Sequence, residues 1–260
     1  NPKEIDAIIV ATITPDMFFP SCACLIQKEI GAINAWGFDL SAACSGFVFA
    51  LETASNMIQS NKYKKIIIIG VDTMSSILDY NDRNTSVLFG DGAGAVLVEP
   101  SKEYGIFDSS MKMDGNGGKF LYMPGGGSLN PATKKTVEEN LHYVKQDGAT
   151  VFKRAIKGMT DITLRIMKKN NLTSNDVDLF IAHQANKRII DLVAKKLNIQ
   201  DDKVFINIDK YANTTAATIP IALYDAFKSK KLKNNHNLLI STFGAGFTWG
   251  SIYMKWNING

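Results

Sequence analysis

Arginine is scarce: only four, at 83, 154, 165 and 188, stand against 25 lysines in a total of 29 basic residues. There are three histidines, three cysteines, and no apolar stretch near the ~18 residues that a membrane-spanning helix requires. The longest strongly apolar run is IIIIGV at 66–71, so a transmembrane protein is excluded. The cysteines, Cys22, Cys24 and Cys44, are odd in number and lack a framework, which fits a reducing compartment better than a secreted one. CAC at 22–24 is not metal-ligand spacing, and no paired His or Cys follows to complete a metal site. The net charge of +4 is dispersed, without the basic, aromatic-interleaved runs of a nucleic-acid binder. A modestly basic surface would suit an acidic protein partner. Low arginine with abundant Lys, Ile and Asn suggests an AT-rich genome. The sequence opens on Asn1 and runs at once into a strand, which suggests a start inside a domain, without its true N-terminus and with no signal or transit segment in view.

What is present is a repeat. IDAIIVATIT (5–14) and VDLFIAHQAN (177–186) are each an Asp followed by a buried-strand run and then polar residues, offset by 172 positions. WGFDLSAACSGFVFAL (36–51) and VFINIDKYANTTAATIPIAL (204–223) are each a short strand, a polar loop and a helix rich in small residues. KKIIIIGVDT (64–73) and HNLLISTFGA (236–245) are each a core strand leading into small residues, and AGAVLVE and WGSIYMKW supply a final strand in each half. Four elements in the same order at one spacing indicate a duplicated α/β unit. The strands are continuous rather than alternating apolar runs, which predicts sheets covered on both faces. The halves are expected at 1–102 and 103–260, the chain turning from one to the other just after Pro100. Residues 111–149, with DGNGG and MPGGGSLNP, form an irregular excursion, and a loop region of that length inside a compact domain is usually functional.

Cys44 in SAACSGFVFA stands where a polar turn gives way to an apolar run, so a helix start is predicted there. The bland reading is a small buried cysteine. The sharper one is a nucleophile whose thiol pKa is lowered by the helix dipole and a neighbouring imidazole. His183 ends the strand in IAHQAN, roughly where Thr12 sits in the first half, at a sheet edge where α/β folds place ligands; a lone strand-end His is more often structural. Asn213 in YANTTAAT falls at the counterpart of the loop that holds Cys44. Related by a pseudo-two-fold axis, these corners would bring Cys44, His183 and Asn213 together. His183 and Asn213 would then donate hydrogen bonds to a carbonyl oxygen becoming an enolate, and backbone N–H groups near FGAGFTWG (243–250) would cradle an oxyanion. GDGAGA (90–95) lacks P-loop and dinucleotide registers and reads as a tight turn ahead of the strand AVLVE. The basic helix start after HQAN, with Lys187, Arg188, Lys195 and Lys196, is ordinarily a solvated face, but here would also suit a phosphate-bearing substrate or an acidic carrier.

In DLSAACSGF, FGDGAGAVL, IAHQANKRI, NTTAATIPIAL and FGAGFTWGS, the chain resembles the 3-oxoacyl-[acyl-carrier-protein] synthase III family of the thiolase superfamily, over essentially its whole length. The resemblance implies a thiolase-like α/β fold with two duplicated halves in a five-layer αβαβα sandwich, and a homodimer. It implies decarboxylating condensation of a short acyl-CoA with malonyl-acyl carrier protein (ACP), with no metal or organic cofactor. Cys44 would be the acylated nucleophile, His183 and Asn213 the decarboxylation pair, and the N–H groups of Cys44 and Ala245 the oxyanion hole. Phe19 matches the residue that crosses the dimer interface and limits the primer pocket, with Phe89, Phe152 and Phe243 as further pocket residues. Arg83 and Asn186 match CoA contacts; Gln184, Ala185, Asn186, Lys187 and Arg188, with Lys153, match the ACP-binding surface. The family's N-terminal portion, with contacts to the CoA adenine end, is not in this sequence, and Ala149 stands where some members carry Asn. A bacterial cytosol is expected, with a plastid as the alternative. The rivals are another Cys–His–Asn condensing enzyme such as a type III polyketide synthase, a papain-like cysteine hydrolase, and a non-catalytic acyl-CoA- or ACP-binding fragment.

Overall fold

The computed structural model describes residues 1–258. Its first part runs β1 (Ala7–Ala11), α1 (Cys22–Ile30), β2 (Trp36–Leu40), α2 (Gly46–Gln59), β3 (Ile66–Asp72) and β4 (Gly92–Val98). It continues with β5 (Gly105–Met113), β6 (Leu121–Tyr122), α3 (Lys134–Glu138), β7 (Lys145–Gln146) and α4 (Gly148–Lys169). Then come β8 (Leu179–Ala182), α5 (Lys187–Lys196), β9 (Val204–Phe205), α6 (Ile208–Tyr211), α7 (Thr218–Lys228), β10 (Asn237–Gly244) and β11 (Thr248–Lys255).

Two mixed sheets form, ordered β2-β1-β3-β4 and β5-β11-β10-β8-β9. β1 pairs parallel with β2 and β3, and β3 antiparallel with β4. β8 likewise pairs parallel with β9 and β10, and β10 antiparallel with β11. Without β5 the two sheets share one topology, as the internal repeat requires. The correspondence extends to backbone dihedrals: Ala43 and Thr215, 172 positions apart, both lie in the left-handed region, at φ 47° and 49°. Each opens a single helical turn, Ala43–Ser45 and Thr215–Ala217, that runs straight into α2 or α7.

Alternation of side chains along a strand divides the core. Ile9 of β1 joins α2, α7, β8 and β10 in one cluster, whereas Ile8 and Val10 face α1 through Cys22 and Ala23. Phe180 and Leu239 face outward from the second sheet onto α4 and α5. Thus α2 and α7 lie between the sheets, where Phe47, Ala50, Ile219 and Ala222 are fully buried. Burying a side chain such as Phe47 contributes about 2–3 kcal/mol. Helix ends are closed locally: Ser21 caps α1, the Asp39 carboxylate accepts from Cys22 N (2.7 Å) and Ala23 N (2.9 Å), and Asp147 caps α4.

Two expectations change. The continuous apolar reading holds for β1 and β8, which are buried throughout, but burial alternates along β3 and β4, because α1 lies mainly over β1 and β2. The GDGAGA segment is no mere turn, since its glycines from Gly92 onward are the start of β4. A Cβ at Gly94 would lie 2.8 Å from Pro220 Cβ, and one at Gly92 2.9 Å from Thr214 Cγ2. Those glycines let α7 and the loop before it approach the first sheet.

Candidate active site

Cys44, His183 and Asn213 line one cavity of about 480 Å³, together with Phe89, Phe152, Phe243, Ala185, Asn186 and Gly244. Residues Leu121, Gln146, Asp147, Gly148 and Ala149 close one side, so the irregular 111–149 region does build the site.

Cys44 is held by the turn ahead of α2. Ser45 Oγ donates to Thr248 O (3.1 Å) and Thr248 Oγ1 to Ala42 O (3.0 Å), which ties the turn to the β10–β11 hairpin. Because Ser45 Oγ is turned away, no side chain caps the N-terminus of α2. Gly244 faces that N-terminus: a Cβ there would sit 2.8 Å from Cys44 N and 3.0 Å from Ser45 N. The missing side chain keeps the space beside these amides clear. Ala245, half-buried, accepts from Thr248 Oγ1 through its carbonyl (3.1 Å). The expected low thiol pKa is overturned. Burial pushes Cys44 up to about 12, the nearby Asp72 carboxylate adds to this, and the residue's own N–H opposes it only weakly. Desolvation outweighs the helix end here, so the resting thiol is neutral.

His183, at the end of β8, is buried and its pKa falls to about 3 through loss of solvation, so the ring is neutral at physiological pH. Its Nδ1 lies 2.6 Å from Thr218 Oγ1, which leaves Nε2 as the ring nitrogen without a hydrogen-bond partner among the described residues. Thr218 Oγ1 also reaches Thr215 O (3.0 Å). When that hydroxyl donates to Thr215, it accepts from Nδ1–H and Nε2 is an acceptor. When it donates to Nδ1, Nε2–H is a donor. Asn213 is pinned through its backbone, with Asn213 N donating to Leu88 O (3.0 Å) and Gly90 N to Asn213 O (3.1 Å). Its Oδ1 accepts from Thr215 N (2.9 Å), so its Nδ2 hydrogens are the part left for a ligand.

A residue that the sequence reading missed sits behind these groups. Asp72, buried at the end of β3, accepts from Thr12 Oγ1, Ile13 N and Thr14 Oγ1 on one oxygen, and from Thr215 Oγ1 and Ala216 N on the other. An acidic residue closing a strand of isoleucines was the available signal.

The remaining candidates scatter more widely. Phe19 is 84% exposed beside Phe18 at 83% and lies away from the cavity. Arg83 is exposed, next in the chain to the cavity residue Asn84. Lys153, Lys187 and Arg188 are exposed; the Arg188 guanidinium lies 5.3 Å over the Phe152 ring, and Lys187 pairs with Asp191 at 2.7 Å. Asn186 caps α5 through Arg188 N (2.9 Å). Gln184, in contrast, is buried, donating to Ala182 O and Phe205 O and accepting from Asn207 N. It shapes the segment from inside and offers no surface to a partner. Among the described residues, no group of three or more His, Cys, Asp or Glu is placed to hold a metal ion.

Comparison with known proteins accords with this geometry. Residues 38–115 match the family described as 3-oxoacyl-[acyl-carrier-protein (ACP)] synthase III, and residues 167–256 match its C-terminal part. The β-ketoacyl-[acyl-carrier-protein] synthase III of Koribacter versatilis is 53% identical over 256 residues, covering 97% of this chain and 77% of its own length. That of Chlorobaculum tepidum is 53% identical over 259 residues, covering 98% and 79%. The crystal structure of 3-oxoacyl-[acyl-carrier-protein] synthase III from Aquifex aeolicus superposes with a TM-score of 0.90 at 41% identity, covering 98% of this chain and 78% of that one. Sequence, topology and a cavity that gathers a cysteine, a histidine and an asparagine agree: the chain belongs to the 3-oxoacyl-[acyl-carrier-protein] synthase III family.

Proposed function

We propose that Cys44 is the acyl-accepting nucleophile of this enzyme and that His183 and Asn213 promote loss of carbon dioxide from a malonyl thioester in the same cavity. The chain is a β-ketoacyl-ACP synthase III, an acyltransferase that performs the condensation initiating fatty acid synthesis, with acyl-CoA and ACP-bound substrates. Cys44 Sγ attacks the acyl-CoA carbonyl carbon, the C–S bond to CoA breaks, and the thiol proton ends on the departing CoA sulfur. The malonyl thioester then loses carbon dioxide and leaves an enolate. Asn213 Nδ2 donates to its oxygen, as does His183 Nε2–H when Thr218 donates to Nδ1. The enolate carbon attacks the acyl carbon, and Cys44 leaves as a thiolate that takes a proton from solvent. The developing oxyanion lies beside the Cys44 and Ala245 amides, in the space that Gly244 leaves open.

One observation carries this reading: Asn213 Oδ1 accepts from Thr215 N, which leaves both Nδ2 hydrogens to donate in a cavity shared with Cys44. Phe89, Phe152 and Phe243 bound an acyl pocket, and Arg83 and Asn186 sit where CoA enters. Lys153, Lys187 and Arg188 offer an acidic carrier protein a basic rim next to Phe152. Residues 1–102 and 103–260 are the two halves of a five-layer αβαβα sandwich, with α2 and α7 as its middle layer. The exposed Phe18 and Phe19 and the unpaired edge of β2 form the contact of a homodimer; a monomer by sedimentation equilibrium at micromolar protein would refute it. The bacterial origin of the relatives supports a bacterial cytosol.

Intact-mass spectrometry after mixing with acetyl-CoA tests the core of the proposal. One added acetyl group is expected, absent in Cys44→Ser, while His183→Ala and Asn213→Ala still acylate but fail to condense. Undiminished acyl transfer in Cys44→Ser removes the assignment.

A further inference from the structure

Asn213 is held by Thr215, which also borders the hydroxyl that partners His183. Its N–H donates to Asn213 Oδ1 (2.9 Å), and its carbonyl stands 3.0 Å from Thr218 Oγ1, whose single hydrogen goes either there or to His183 Nδ1 (2.6 Å). Thr215 is a β-branched residue at φ 49°, a conformation that persists only when its surroundings impose it. What imposes it is Asp72. One carboxylate oxygen takes Thr215 Oγ1 and Ala216 N; the other is fixed by Thr12 Oγ1, Ile13 N and Thr14 Oγ1 at 2.8–3.1 Å. The first half of the chain thereby grips the loop of the second half that presents Asn213. The nucleophile has its own hydrogen bonds, Ser45 Oγ to Thr248 O and Thr248 Oγ1 to Ala42 O, although its turn packs on the Thr215–Ala217 turn.

We infer that Asp72 is a positioning residue that sets Asn213 for decarboxylation through Thr215, and that acylation of Cys44 does not depend on it. The inference rests on the functional reading above. It places the two half-reactions under separate structural control.

Asp72→Asn keeps the shape, but its one acceptor oxygen can serve either Ile13 N or Ala216 N, and its NH2 group then faces the other N–H. A displacement of about an ångström in a reacting group can cost on the order of 10²-fold in rate. Condensation by pre-acetylated enzyme with malonyl-ACP is therefore expected to fall about 10²-fold, while acetylation of Cys44 by acetyl-CoA, followed by intact mass, stays within about 3-fold. A purely structural defect would lower every readout together. Thr215→Val, which loses the hydroxyl alone and keeps the backbone N–H, is expected to show the same split in milder form, and Thr215→Ser to recover most of the loss. This pair carries the test should Asp72→Asn fail to fold.

If the unaltered protein performs both half-reactions but Asp72→Asn and Thr215→Val lose them in equal proportion, or lose neither, the inference is wrong while the functional reading stands. If the unaltered protein performs neither, both fall.

Discussion

Burial of His183 should write itself into the pH dependence of stability. In the unfolded chain the ring has its ordinary pKa of 6.5; in the fold, loss of solvation lowers it to about 3. At pH 8 neither state is protonated and the residue contributes nothing. As pH falls through 6.5 the unfolded chain takes a proton that the folded chain refuses, so unfolding becomes easier by roughly 1.4 kcal/mol per pH unit until about pH 3. At pH 5, 1.5 units below the ordinary value, the loss is about 2 kcal/mol. Every other group titrates too, so the measurement is a difference. Urea unfolding of the protein and of His183→Gln, each from pH 8 to pH 5, isolates the histidine. His183→Gln is expected to be the less stable at pH 8, because its packing and the Thr218 contact are disturbed, with the gap closing by about 2 kcal/mol at pH 5. Parallel curves would refute the reasoning, since they require His183 to accept a proton in the folded state as readily as in the unfolded one. A ring so easily protonated would also be a standing cation in the cavity, at odds with the neutral donor assigned to the condensation step.

Two glycines give sharper perturbations. Gly244→Ala would place a methyl against the amides of Cys44 and Ser45, so acetylation of Cys44 is expected to slow by about 10²-fold, read by intact mass; a rate within 3-fold of the parent would show that the oxyanion does not lie there. Gly70→Ala would drive a Cβ onto the Ala216 carbonyl where β3 meets the turn before α7, and should cost about 2 kcal/mol in urea unfolding. Because Ala216 follows Thr215, condensation should suffer more than acylation, and an unchanged ratio of the two would break the link between that contact and Asn213.

How far the sequence speaks depends on the kind of force involved. The duplication was legible because buried strands must be apolar wherever they occur, and two copies of one topology repeat that demand at one spacing. The convergence of Cys44, His183 and Asn213 followed from the same repeat, since equivalent corners of two related halves must meet. The thiol pKa was not legible. A helix start is visible in a local stretch, but the desolvation that overrides it is a property of everything packed around Cys44. Gln184 reads as one more polar residue in a polar loop, and only the structure sets its amide between Ala182, Phe205 and Asn207. GAGA looked like a turn because glycine's local meaning is flexibility, whereas its use in β4 is the close approach of α7. Asp72 lies furthest from reach, because its five donors come from residues 12–14 and 215–216, about 60 positions before and 140 after it. Side chains that touch the substrate carry a family's motif, whereas those that hold them in place are defined by contacts distant in the chain. That is why the three residues that share the cavity could be singled out from the sequence, while the carboxylate behind them had to await the fold.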